Sequence, residues 1–210
     1  MPVFTPEYLH KVAYHIYRAK GTPEDEAEIV ARHLVKANLA GHDSHGIIQT
    51  PTYVERIDVG HIVPGAPFEV VKEAPCTAVI NGNWGFGFVV TEKATRMAIE
   101  KARTNGVAAI TVHHQSHIGR LGDYPTMMAA EGMIGMITAD SGAAPKHVAP
   151  FGGIARKLGT NPICIGMPSN LDGPVLMDMA SSTVALGKIA LARSRKEKIP
   201  VGWIVDKDGN

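Results

Sequence analysis

Apolar positions recur at helical spacing through the first sixty residues and gather into short, strand-length runs after that. A segment opening near residue 23 carries Ala27, Val30, Ala31, Leu34 and Val35 on one face, the three-and-four spacing of an amphipathic helix. Thr5-Pro6-Glu7 and Thr22-Pro23-Glu24 each place a hydroxyl N-cap before a proline at the first helical position, with acids in the first turn. Helices are therefore predicted from about residues 6 and 23. The first is predicted to stop at Gly21, which can take a left-handed cap conformation. Asp43 or Ser44 is placed to cap a third helix, running through Tyr53 and Ile57 to Gly60. Residues 1–64 are expected to form a small helical domain.

Past the Pro/Gly-rich segment HIVPGAP the period changes. FEVV and TAVI read as strands, followed by the loop NGNWGFG and a helix from about Val89 to Arg103 that ends at Asn105-Gly106. A strand VAAITV leads into the polar loop HHQSHIGRLGD, then a helix through MMAAEG and a strand IGMIT. Further strands are predicted at ICIGM and PVLMD, a helix from about Thr183 to Lys196, and a last strand at VGWIV. Alternating strands and helices put residues 65–210 in the α/β class, and hairpin-length connections imply a sheet that is not purely parallel. Asp206-Lys207-Asp208-Gly209-Asn210 is a turn signal of the kind found between paired strands, so a further C-terminal portion is expected.

Composition narrows the function classes. Of 210 residues 45% are hydrophobic and 20% charged, and 21 basic against 20 acidic residues leave a formal charge of +1, which points to neither nucleic acid nor a membrane surface as partner. MPVFTPEYLH lacks the basic segment and apolar run of a signal peptide, and no run reaches the roughly 18 apolar residues of a bilayer span, so a cytoplasmic location is expected. Cys76 and Cys164 lie in apolar runs and are expected to be buried, reduced thiols.

The chemistry concentrates in loops. His42 and His45 in AGHDSHG, with His113, His114 and His117 after VAAITV, make up five of the ten histidines. No HExxH spacing and no cysteine pair at metal-ligand spacing accompanies them, so no metal site is assigned and most are expected to be surface or capping residues. His45 and His117 are set apart, because each precedes a glycine in a polar context where side chains reach into a cleft. NGNWGFG fails the dinucleotide fingerprint, since position 90 is Val90 where a third glycine is required, and a hairpin or helix-start turn is expected instead. APFGG (149–153), LGTNP (158–162) and DMASST (178–183) are loops of small residues suited to close backbone approach, or simply tight turns and caps.

Those three loops, taken in order with AGHDSHGI and HQSHIGRLG, make the chain resemble the malate/L-lactate dehydrogenase family, which includes ureidoglycolate, diketogulonate and L-sulfolactate dehydrogenases. The forms ANLAGHDSHGI and SHIGRLG are most similar to its hydroxycarboxylate dehydrogenase branch. The resemblance implies an α/β fold like that of L-sulfolactate dehydrogenase: an N-terminal helical domain, then a non-Rossmann cofactor domain on a largely antiparallel mixed sheet. It implies a homodimeric oxidoreductase using NAD or NADP on a small 2-hydroxy or 2-oxo acid. It assigns His45 and His117 as the acid/base histidines, with His117 favoured as the oxidative base and His45 as its partner or as donor. Ser44, Gln49, Tyr53, Arg120 and Ser141 fall in substrate-facing segments. Pro150, Gly152, Gly159, Thr160, Asn161, Asp178, Met179, Ala180, Ser181 and Ser182 fall in segments that line the cofactor.

Two departures from the family pattern are visible. Where many relatives carry an arginine after DSHG, this chain has Gln49, a neutral amide that cannot grip a carboxylate as a bidentate cation does; Arg120 is the candidate replacement. The family also continues for about another domain's worth of chain after DKDGN. Two rival functions follow: a truncated, non-catalytic chain that binds cofactor or dimerises, and a metal-dependent hydrolase built on the histidine cluster.

Overall fold

The structure, a computed structural model, describes residues 3–140, 146–206 and 208–209. Helix α1 (Pro6–Ala19) is capped as its sequence predicts, with the Tyr8 N–H donating to Thr5 Oγ1 at 3.2 Å. Helix α2 (Glu24–Leu39) departs from expectation at its start: Pro23 occupies the cap position and Thr22 makes no cap bond. Thr22 is fully buried, its N–H is tied back to the Tyr17 carbonyl, and its Oγ1 has no hydrogen-bond partner. Glu24, Asp25 and Glu26 in the first turn complement the helix dipole in place of that cap.

The third helix is interrupted. Two 3-10 turns, Asp43–His45 and Ile47–Gln49, precede α3 (Thr50–Asp58), and neither Asp43 nor Ser44 caps it. Both side chains are committed elsewhere, Asp43 to Asn38 and Ser44 to His45.

Strands β1 (Glu69–Glu73), β2 (Thr77–Gly85) and β3 (Ala109–Gln115) form one sheet in that order, antiparallel then parallel. Strand β2 runs through NGNWG, where a loop was predicted, and absorbs the extra residues as an irregularity between Asn81 and Gly85. Likewise β3 extends over His113 and His114, so the polar loop begins only at Ser116. Helix α4 (Gly87–Asn105) makes the parallel crossover and ends at Gly106, φ +79°, and α5 (Asp123–Ala130) follows β3. Strands β4 (Gly135–Thr138), β5 (Pro162–Met167) and β6 (Val175–Ala180) form a second, antiparallel sheet.

Helix α6 (Leu186–Arg195) starts three residues later than predicted, because residues 181–184 bend, with Ser182 Oγ donating to the Val184 carbonyl. VGWIV is not a strand: it forms turns and bends, Val201 is fully exposed, and no neighbouring strand offers it a ladder among the described residues.

One apolar cluster joins Ala13, Tyr17, Val30, Leu34, Tyr53 and Ile62 to Phe86, Phe88 and Val89, so the helical segment shares its core with the start of α4. A second joins Ile118, Leu121, Tyr124 and Cys164 beneath α5. In the second sheet the register pairs Ile137 with Cys164 and Cys164 with Asp178 on the face toward α5, and Met136 with Ile165 and Ile165 with Met177 on the other. Both cysteines are free thiols; Cys164 is buried as expected, whereas Cys76, in the turn before β2, is only half-buried. No helix among the described residues is long and apolar enough to cross a membrane.

Candidate active site

The position of His117 follows from how closely two backbones meet. After β3 the Ser116 N–H donates to the Gly85 carbonyl, and the Gly87 N–H donates to Ser116 Oγ at 2.9 Å. A Cβ at position 87 would collide with the carbonyl oxygens of Ser116 and His117, so only glycine at the start of α4 lets this loop lie down. Gly119, at φ +71°, then turns the chain over the Phe88 ring. From this seat His117 places Nδ1 at 2.5 Å from the Tyr53 hydroxyl, supplied by α3.

His45 arrives from the other side. Asn38, at the end of α2, clamps the segment at two points, donating from Nδ2 to Asp43 Oδ1 at 2.6 Å and accepting from the Ile47 N–H at 2.9 Å. The short 3-10 turns then carry the His45 ring to 5.5 Å from that of His117, stacked at 28°. Ser44 Oγ lies 2.9 Å from His45 Nδ1, and Gln49 donates from Nε2 to the Ser44 carbonyl. Gln49 thus secures the loop backbone with its amide nitrogen. His42 turns back on the Ala40 carbonyl, in keeping with a structural role.

Electrostatics hold both rings neutral. Burial, helped by the charge of His42 and opposed by that of Asp178, moves His45 below the ordinary imidazole value. His117 is pushed down further, first by its position deep among protein groups, then by the charges of His45 and Arg56, although it keeps solvent access. The buried Tyr53 hydroxyl is pushed up, so it stays protonated and can either donate or accept.

Arg120 and Asp178 meet at Gly122. Asp178 Oδ2 accepts from the Gly122 N–H at 2.8 Å, and a Cβ on that glycine would fall 2.9 Å from Arg120 Nη2 and 3.0 Å from Asp178 Oδ2. Arg120 donates from Nη1 to Asp123 Oδ1 at 2.6 Å, and its buried Nε has no hydrogen-bond partner. Asp178 links this cation to the histidine pair, since its charge reaches His45.

The three small-residue loops converge at one end of the second sheet, where β4 finishes, β5 starts and β6 finishes. A Val148–Leu158 bridge closes the loop that holds Pro150 and Gly152, with the Gly153 N–H on the Pro150 carbonyl. The Gly159 N–H donates to Asp140 Oδ1, and Asn161, at φ +46°, follows the half-buried Thr160. The Asn161 carbonyl accepts from the Ser181 N–H, which ties the second loop to Ala180, Ser181 and Ser182. Met179 pairs with Ile163 on the sheet face opposite Cys164 and Asp178 and is half exposed. Gly187, in the uncapped first turn of α6, lies against Ser44, so this end of the sheet adjoins the His45 loop. Ser141 lies outside the described residues.

His113 and His114 sit at the exposed end of β3 against each other and Trp84, apart from the pair. Among the described residues no group of three or more His, Cys, Asp or Glu side chains is placed to hold a metal ion. Four charged groups of interest were missed in the sequence. Arg56, one turn after Tyr53, acts on His117, and its i+3 spacing was a usable signal. His33, Glu92 and Asp123 form a buried series beside Arg120, separated by 59 and 90 positions, and spacing gives no hint of it.

The sequence pattern described as malate/L-lactate dehydrogenase matches residues 4–210. Hydroxycarboxylate dehydrogenase B of Escherichia coli (strain K12) is 38% identical over 206 residues, 98% of this chain and 57% of that protein. L-sulfolactate dehydrogenase of Methanocaldococcus jannaschii is 40% identical over 207 residues, 99% of this chain and 59% of that protein. Among solved structures, malate dehydrogenase from Entamoeba histolytica superposes with a TM-score of 0.95 at 32% identity, covering 100% of this chain and 57% of the other. Sulfolactate dehydrogenase from Methanocaldococcus jannaschii gives a TM-score of 0.91 at 39% identity. The chain thus spans somewhat under two thirds of the length of the relatives it matches.

Proposed function

The chain belongs to the malate/L-lactate dehydrogenase family, and from that membership and the histidine geometry we propose that it serves the oxidation of a small 2-hydroxy acid, or the reverse reduction, with NAD or NADP. The observation that carries the proposal is the stacked His45–His117 pair with Tyr53 fixed on Nδ1 of His117.

The groups at the converging loops suit a nicotinamide dinucleotide. Backbone at Pro150–Gly153 and Gly159–Asn161, the Ser181 and Ser182 hydroxyls, and the uncapped start of α6 offer neutral polar contacts and a dipole end for a diphosphate. A nicotinamide held there would supply the hydride acceptor, or in reverse the donor, for the substrate C2.

The residues of the chain handle the proton. His117, held neutral, donates its Nδ1–H to the Tyr53 hydroxyl oxygen and presents the Nε2 lone pair. In oxidation Nε2 takes the proton from the C2 hydroxyl as the C2–H leaves as hydride and the carbonyl forms. In reduction the same nitrogen returns that proton, and the negative substrate raises the basicity that burial suppresses. His45 holds or assists the same oxygen. Arg120, the cation beside Asp178, binds the substrate carboxylate, and Asp178 aligns both elements through Gly122 and the field it exerts on His45.

A homodimer forms part of the proposal, supported by the exposed methionines Met136, Met177 and Met179 on the second sheet, and sedimentation of the purified chain tests it. For the activity, NADH and NADPH are titrated by fluorescence and their oxidation followed with a panel of 2-oxo acids. Turnover with at least one acid is expected. Binding without turnover would favour a cofactor-binding, non-catalytic chain, and the absence of both would remove the proposal.

A further inference from the structure

We propose that Glu92, His33 and Asp123 form a buried positioning network that holds the Arg120 guanidinium beside Asp178 and thereby sets how tightly the site grips a substrate carboxylate. The inference rests on the reading of Arg120 as the carboxylate-binding cation.

His33 comes from α2, Glu92 from α4 and Asp123 from α5, and all three side chains are almost wholly enclosed, at 2%, 5% and 2% exposure. His33 Nε2 lies 3.0 Å from Glu92 Oε2 and Nδ1 lies 3.2 Å from Asp123 Oδ2. Each ring nitrogen therefore faces a carboxylate. A neutral imidazole could donate to only one of them and would set its lone pair against the other, so this arrangement calls for an imidazolium that donates twice. Charges on every packed element agree. Arg32 of α2 and Arg96 of α4 both bond Glu92, Lys36 of α2 and Arg120 bond Asp123, and the Phe88 and Tyr124 rings flank His33.

The direction of the series gives it a role beyond packing. Asp123 uses Oδ2 on His33 and Oδ1 on Arg120 Nη1, so the arginine is held by an oxygen whose partner oxygen is already fixed. Only Nη1 of Arg120 is used in this way, while Nε stays unpartnered and Nη2 packs on Gly122 next to Asp178. An arginine on a flexible stem loses side-chain freedom when it binds; here that loss has already been taken on folding, so a carboxylate meets a guanidinium of set orientation. Without His33, the partners of the Asp123 carboxylate among the described residues are Lys36 and Arg120, both on Oδ1, so nothing fixes Oδ2 and the orientation in which Asp123 holds Arg120 loosens.

The test uses the whole chain, with NADH present and oxamate as the probe for a 2-oxo carboxylate. The variants are H33Q, E92Q, D123N, R120K and the double variant R120K/H33Q, all checked for folding by circular dichroism. H33Q and D123N are expected to weaken oxamate binding by roughly 10- to 100-fold, as loss of outer-shell partners does elsewhere. R120K is expected to lose at least as much, and adding H33Q to R120K to cost nothing further, whereas a merely structural role for His33 would give losses that multiply. A second readout is independent of the probe: the Arg120 Nε–H resonance should be sharp in the wild-type chain and broadened in H33Q and E92Q. Oxamate binding that ignores R120K would refute the carboxylate role while the resonance still judged the network. An Arg120 resonance and an affinity both indifferent to H33Q and E92Q would overturn the positioning proposal.

Discussion

Replacing Tyr53 by phenylalanine isolates one hydroxyl group in the middle of the site. Tyr53 is 1% exposed and packs its ring on Phe88, so phenylalanine keeps the packing and removes only the oxygen 2.5 Å from His117 Nδ1. The lost bond should cost about 1–2 kcal/mol, which for a chain of this size lowers Tm by roughly 2–8 °C. The sharper effect is on the proton. In the proposed mechanism the Tyr53 oxygen accepts the Nδ1–H, so the neutral ring keeps its lone pair at Nε2; without that acceptor the ring is free to populate the Nε2–H tautomer, in which the base is lost. Nitrogen-15 NMR of the histidine rings reads this directly, with Nδ1 protonated in the native chain and both tautomers populated in Y53F. Turnover should fall with the fraction of the ring in the Nε2–H form, by about 5- to 30-fold for a lost bias of about 1–2 kcal/mol, with cofactor affinity unchanged. A native His117 already protonated at Nε2, or a Y53F chain with unchanged turnover, would refute the reasoning.

Other expectations are shorter to state. G87A inserts a Cβ against the Ser116 and His117 carbonyls, so it should lower stability by about 1–3 kcal/mol and displace the His117 resonances, as chemical denaturation and NMR would show. Because the folded chain holds His117 below the ordinary imidazole value of about 6.5, the unfolded chain binds more protons there, and stability should fall as pH drops below about 6.5; urea midpoints should show a shallower acid slope in H117Q. Glu92 and Asp123 are also held below the ordinary carboxylate value, so their contribution is present above about pH 4 and is lost as acid protonates them in the folded state, while that of His33, held above its ordinary value, is complete below about pH 6.5 and is lost as pH rises through its folded value. D178N removes the charge that favours protonated His45, so the His45 titration should move to lower pH.

Much of the fold was legible because local signals and tertiary structure agree. The Thr5 cap, the α2 apolar face and the Asn105-Gly106 stop depend on neighbours within a turn or two. The misreadings share a cause. Asn81–Gly85 and His113–Gln115 carry loop-like residues, yet pairing with a neighbouring strand extends β2 and β3 through them. Thr22 has the composition of a cap, but its backbone is drawn to Tyr17 and its hydroxyl is buried. At the site, AGHDSHG and SHIGRLG marked His45 and His117 and left their 5.5 Å stacking to tertiary structure. The His33 series was not legible at all, since a histidine among the buried positions of α2 finds its partners on two other helices.

The most direct test of the account is reduction of NAD or NADP by a panel of small 2-hydroxy acids, measured for the native chain and H117N beside fluorescence titration of NADH. The account predicts turnover with at least one acid, reduced about 100-fold or more in H117N while NADH affinity holds. Turnover indifferent to H117N, or neither turnover nor NADH binding in the native chain, would contradict it.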